Sequence, residues 1–119
     1  MEYNGKVNGT VVSKSNSYRI ITINGHGSLT KTTAMKKYEE SFLWQVGKIR
    51  DANIDIPFEL YLDVWFPSKR SDLDGALKAI LDCMQKAKII KNDNNCCKLL
   101  ARKFIDKDNP RIEFRIITV

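Results

Sequence analysis

The segment FELYLDVWF, residues 58–66, alternates without interruption, with Phe58, Leu60, Leu62, Val64 and Phe66 on one side. A period of two over nine residues predicts a β-strand with one face buried. Pro67 ends it, and SKRS makes a connection to a different rhythm. Leu77, Ile80, Leu81 and Met84 then recur at helical steps, predicting a helix over residues 72–87 whose first turn Ser71 or Asp72 can cap. An earlier stripe of Met35, Tyr38, Phe42, Val46 and Ile49 predicts a first long helix over residues 32–51. Residues 7–22 are short apolar pieces broken by Gly9 and SKSNS, which read as a strand, a turn and a second strand. NGHGS after them reads as a loop containing His26. CKLLARKFI and RIEFRIITV predict two closing strands around a turn at Asp108, Asn109 and Pro110, with Ile112, Phe114 and Ile116 inward. Strand, strand, helix, strand, helix, strand, strand is the order of one α/β (mixed α+β) domain over residues 1–119, with two main helices packed on a mixed sheet.

Composition agrees with that picture. The 119 residues are 43% hydrophobic and 29% charged, ordinary for a globular protein, and no apolar run is long enough to span a membrane. No basic-then-apolar leader opens the chain, so a cytoplasmic location is expected. Cys83, Cys96 and Cys97 are an odd number with two adjacent, poor material for a disulfide framework, and they are expected as reduced, buried or half-buried thiols. With His26 the single histidine and far from the cysteines, a zinc site is not expected. The formal charge of +6 and the sequence pI near 9.3 make a nucleic-acid partner a reasonable hypothesis.

The chemistry gathers where the second helix begins, in SKRSDLDGALKAILD. Asp72 and Asp74 stand where free backbone N–H groups and the positive end of the helix dipole favour carboxylates, and capping alone would explain them. Lys78 follows Asp74 by four residues, which puts both on one helix face at the edge of the buried stripe. Asp93, in the polar turn KNDNN after the helix, can fold back toward them. Convergent carboxylates without histidine or cysteine suit a hard cation such as Mg²⁺, with Mn²⁺ a second option. Such an ion activates water and neutralises charge in phosphodiester hydrolysis, and a lysine can stabilise the negative charge that develops. DLDGALKAILD fails the ligand spacing of a calcium EF-hand, and FPSKRS separates the strand from the acids, unlike a haloacid-dehalogenase site.

DLDGALKAILD followed by IIKNDNN resembles the RusA family of Holliday-junction resolvases, best over residues 70–95; VSKSNSYRI and KKYEESF resemble its N-terminal loop and first helix. The resemblance implies that Asp72, Asp74 and Asp93 are metal-binding catalytic carboxylates and Lys78 the catalytic lysine. It also implies an α/β fold, a homodimer, and branched DNA, the four-way junction, as substrate. Two positions depart from the pattern: Gly75 stands where asparagine is common, and Asn92 replaces the first acid of the distal pair. Asp82 matches a commonly acidic position, and two readings of it stand side by side: it orients Lys78, four residues before it, or it forms a plain surface pair with it. Two symmetry-related cuts need two active sites, which a chain of this length supplies as a two-fold dimer. Lys14, Arg19, Lys69 and Arg70 are the expected phosphate contacts, sequence-independent and salt-sensitive. The competing readings are a non-catalytic basic DNA-binding module, in which the acids only cap the helix, and a metal-dependent enzyme acting on small phosphorylated substrates.

Overall fold

The computed structural model describes residues 1–13 and 18–119. Its elements run β1 (Glu2–Asn8), β2 (Tyr18–Ile23), β3 (His26–Lys31), α1 (Thr33–Val46), β4 (Phe58–Phe66), α2 (Leu73–Lys86), β5 (Cys96–Ile105) and β6 (Arg111–Thr118). Four strands form the main sheet in the order β1-β6-β4-β5. β4 and β5 are parallel and joined across α2, while β6 is antiparallel to both of its neighbours, so the sheet is mixed as expected. The alternation in β4 holds throughout: Phe58, Leu60, Leu62, Val64 and Phe66 are all buried. They pack with Ile112, Phe114 and Ile116 of β6, with Met35, Tyr38, Phe42 and Val46 of α1, and with one face of α2.

On the other face of the sheet, Arg111 lies 4.0 Å above the Trp65 ring and Arg115 lies 4.7 Å above Tyr61. Guanidinium groups on aromatic faces shield apolar ring surface while keeping the charge in water. β5 is an edge strand, mostly exposed, and carries Lys98, Arg102 and Lys103, charges that discourage further strand pairing. No helix among the described residues is long and apolar enough to cross a membrane.

Several boundaries differ from the pattern reading, each for a physical reason. The hairpin is β2–β3, and β1 pairs instead with β6 at the far end of the chain. Asn24 and Gly25 both take positive φ, 51° and 79°, which makes NG a two-residue hairpin turn and puts His26 at the start of a strand. Helix α1 stops at Val46 because Gly47 breaks it into a short 3-10 turn, Gly47–Ile49. The buried face of α2 is Ala76, Ala79, Ile80, Cys83 and Met84, with Leu77 and Leu81 only half-buried at its margin. Small residues allow the helix to lie close to its neighbours, so the stripe is rotated from the one that the leucines mark. Cys97 is exposed, Cys96 is half-buried and Cys83 is buried, all as free thiols.

Candidate active site

Asp72 is the N-cap of α2. Its extended backbone (φ −106°, ψ 120°) lets Oδ1 accept the Asp74 N–H at 3.2 Å. Asp74 lies in the first turn, exposed, and among the described residues its carboxylate has no hydrogen bond or ion pair. Two acids therefore share the end of the helix where the dipole lowers the energy of negative charge. Below them Lys78, Asp82 and Gln85 continue a row along the same face. The Lys78 Nζ is 3.3 Å from Asp82 Oδ1 and 3.7 Å from Asp93 Oδ2. Its pKa is raised, first by the hydrogen bond and charge of Asp82 and then by Asp93, so the ammonium stays charged throughout the neutral range.

Asp93 is held from two sides. Its backbone N–H donates to Gln85 Oε1 at 2.7 Å, and it opens a 3-10 turn, Asp93–Asn95, whose Asn94 N–H donates to the Asn92 side chain at 2.9 Å. The loop before Asp72 is held from β5. Lys103 Nζ donates to the Lys69 carbonyl at 3.0 Å and to the Ser71 carbonyl, and sits 5.6 Å over the Phe66 ring. A cleft of about 870 Å³ opens beside this loop, walled by residues 10–13, Ala34, Phe66, Arg70, Ser71 and Asp72. A second depression, about 510 Å³, lies on the outer sheet face around Tyr61, Asp63, Arg102 and Arg115, away from these acids.

The acids thus stand in two groups, Asp72 with Asp74 at the helix end and Asp82 with Asp93 around Lys78. Among the described residues no three acid, histidine or cysteine side chains gather closely enough to hold one ion as they stand. Mg²⁺, however, is commonly held by one or two carboxylates together with water and substrate phosphate oxygens. An all-oxygen pair on the dipole's positive end, beside a cleft with an arginine in its wall, fits that requirement.

A family model described as Endodeoxyribonuclease RusA matches residues 8–117. The chain is also 30% identical over 107 residues to the Crossover junction endodeoxyribonuclease RusA of Aquifex aeolicus (strain VF5), a match covering 88% of this chain and 82% of that protein. The chain belongs to the RusA family.

As a RusA-family member it is a nuclease, and its departures from the family pattern can be read on the structure. Asn92, in place of an acid, caps the turn that carries Asp93. Gly75 lies half-buried in the first turn of α2, one residue past Asp74. Lys69 and Arg70 are exposed in the loop beside the cleft. Arg19 stands apart on the β2–β3 hairpin, and Lys14 lies outside the described residues. Sequence reasoning missed Lys103 and Gln85. A signal for Lys103 existed: β5 pairs it directly with Val64, so alternation aims it toward the helix-covered face, an unusual direction for a lysine.

Proposed function

We propose that this RusA-family nuclease resolves four-way DNA junctions, cutting phosphodiesters with the help of Mg²⁺ and working as a homodimer. The observation that carries the reading is the placing of Asp72 and Asp74 on the dipole end of α2, where Asp72 lines a cleft that Arg70 shares, with charged Lys78 one turn beyond Asp74. Asp72 and Asp74 would hold the ion, with Asp93 as a third acid once it leaves Lys78. That contact is 3.7 Å long and partly exposed, and the Asp72 capping bond is 3.2 Å, so each is a hold of about 1 kcal/mol or less. The ion, when bound, would supply a Lewis acid and an activated water.

The chain's own residues supply the rest. Arg70 and Lys69 meet the DNA backbone and hold the phosphodiester at the mouth of the cleft. Lys78, kept protonated by Asp82, offers a fixed positive charge to the oxygen on which charge develops as the P–O bond breaks. Lys14 and Arg19 add phosphate contacts whose effect on affinity falls with salt. Two subunits about a two-fold axis give the paired cuts that a four-way junction needs.

The capping bond from Asp72 favours a second reading, a basic module that binds DNA without cutting it. One assay separates the two: a labelled synthetic four-way junction and a matched linear duplex, each with and without Mg²⁺, for the parent, Asp72→Asn and Asp74→Asn. Junction-selective, metal-stimulated cleavage lost in both variants, with junction binding retained, is expected. Full cleavage by either variant with metal present would sink the assignment, and binding without cleavage by the parent would favour the module. Sedimentation of the parent tests the dimer.

A further inference from the structure

The hairpin β2–β3 has no part in the chemistry above. Among the described residues it forms a two-stranded sheet of its own, and such a ribbon is marginally stable in water without a surface to cover it. Ile20 and Leu29 are direct cross-strand partners, so their side chains lie together on one face, 77% and 71% exposed. The adjacent Arg19 is exposed on the opposite face. Residues 18–31 contain Arg19, His26 and Lys31 and no acid at all.

The described residues on either side of the ribbon reach the candidate active site, while its last residue, Lys31, shares a separate depression with Glu39 and Lys86. Ser13 on the incoming side and Ala34 on the outgoing side both wall the cleft that holds Arg70 and Asp72. Lys31 is tied to Glu39 of α1 at 2.6 Å, which fixes that end of the ribbon to the body. Six residues per strand carry the ribbon about 20 Å outward, more than the depth of roughly 8.5 Å of a major groove that admits a β-ribbon.

We propose that this ribbon is a branch-sensing arm: the Ile20–Leu29 face packs on bases left uncovered at the branch point of a DNA junction, while Arg19 meets the backbone on the other side. The proposal rests on the junction-cleaving reading given above. Apolar side chains that enter an intact duplex must first unstack a base step, whereas a branch point already presents base faces without a stacking neighbour. An aliphatic pair on a cationic ribbon therefore favours branched over linear DNA. The ribbon of a second copy is a poorer occupant, because residues 18–31 offer Arg19 no acid to meet.

The test is the double substitution Ile20→Thr with Leu29→Thr, which keeps strand propensity and removes the apolar face. Affinities for a four-way junction and a linear duplex of matched sequence are measured at one fixed salt concentration, with a fluorescent adenine analogue at the branch. Junction affinity should fall about 10- to 100-fold, from the apolar burial lost. Linear-duplex affinity should stay within about twofold, and the branch-base signal of the parent should disappear. Arg19→Ala should weaken both DNAs alike and lower the salt slope by about one. Unchanged junction preference in the double variant, or equal loss on both DNAs, overturns the arm while leaving the junction reading intact. Dissociation of the variant into monomers in sedimentation also overturns it, giving the face to a second copy. A parent with no preference for the junction removes both proposals together.

Discussion

Gly5 is the position at which the sheet register can be tested most sharply. It is paired directly with Phe114, and both face the helix-covered side of the sheet, where the Phe114 ring is 4% exposed and stacked parallel to Phe42 with centroids 6.2 Å apart. A Cβ placed on Gly5 would lie 2.3 Å from Cζ of that ring and 2.6 Å from Cε1. Ordinary contact would need the ring to retreat by about 1 Å, toward packed side chains, and overpacking of this kind costs about 1–3 kcal/mol. Alanine returns roughly 0.5–1 kcal/mol by restricting the unfolded chain, so Gly5→Ala should destabilise by about 1–2 kcal/mol net. For a domain of this size that lowers the thermal midpoint by about 4–8 °C. Calorimetry of the parent, Gly5→Ala, Phe114→Leu and the double variant closes a thermodynamic cycle. In the Phe114→Leu background the alanine should cost nothing or stabilise, giving a coupling energy of about 1–2 kcal/mol. A Gly5→Ala midpoint equal to or above the parent's, or a cost unchanged by the second substitution, would refute the pairing of Gly5 with Phe114.

Other expectations concern the site and the thiols. Lys103→Met keeps the aliphatic stem over Phe66 and removes both bonds to the loop carbonyls. Amide exchange at Arg70 and Asp72 should rise, junction cleavage should fall about tenfold, and the thermal midpoint should move by no more than about 3 °C; exchange and cleavage like the parent's would deny Lys103 its hold on the loop. Asp82→Asn removes the largest cause of the raised Lys78 pKa, so the lysine should titrate at lower pH by NMR; an unmoved titration would show that Asp93 suffices. Cys83 is pushed up from 9.0 to about 12, first by burial and then by the charges of Glu39 and Asp82. At pH 8 an aromatic disulfide should therefore modify exposed Cys97 rapidly and Cys83 only on unfolding, and equal rates by mass spectrometry would contradict its burial. Because the folded thiol holds its proton more tightly than the unfolded one, its contribution to stability is complete below pH 9 and is lost as pH rises through about 12. Cys83→Ala should flatten that alkaline fall by up to about 1.4 kcal/mol per pH unit.

The fold was legible wherever one local rule acted alone. Nine alternating residues could only be β4, and Asp72 before a helical stripe could be recognised as a cap, which it is. The errors lie where a second influence intervenes. NG followed by HG reads as a glycine loop, yet positive φ at Asn24 and Gly25 closes a two-residue turn and extends strands on both sides. Val7 pairs with Ile112, and no local periodicity can show a partner a hundred residues away. On α2 the leucines are the most apolar residues, but close packing selects the small ones, so the buried face turns toward Ala76, Ala79 and Cys83.

The same distinction runs through the site. Asp74, Lys78, Asp82 and Gln85 are legible as a row because helical geometry alone lines up residues three and four apart. What joins that row to the rest is the edge strand, and its role follows from topology. β5 begins directly after the Asp93–Asn95 turn, whose first N–H is held by Gln85 near the end of α2. It runs parallel to β4 and ends beside Phe66, where Lys103 grips the carbonyls of Lys69 and Ser71 immediately before Asp72. A parallel crossover brings the chain back to its starting level, so the strand that follows the helix necessarily returns to the loop that precedes it. One strand therefore anchors the acids at both ends of α2. Substitutions in β5 should for this reason reach the site although the strand is mostly exposed, which its composition as a charged edge does not reveal.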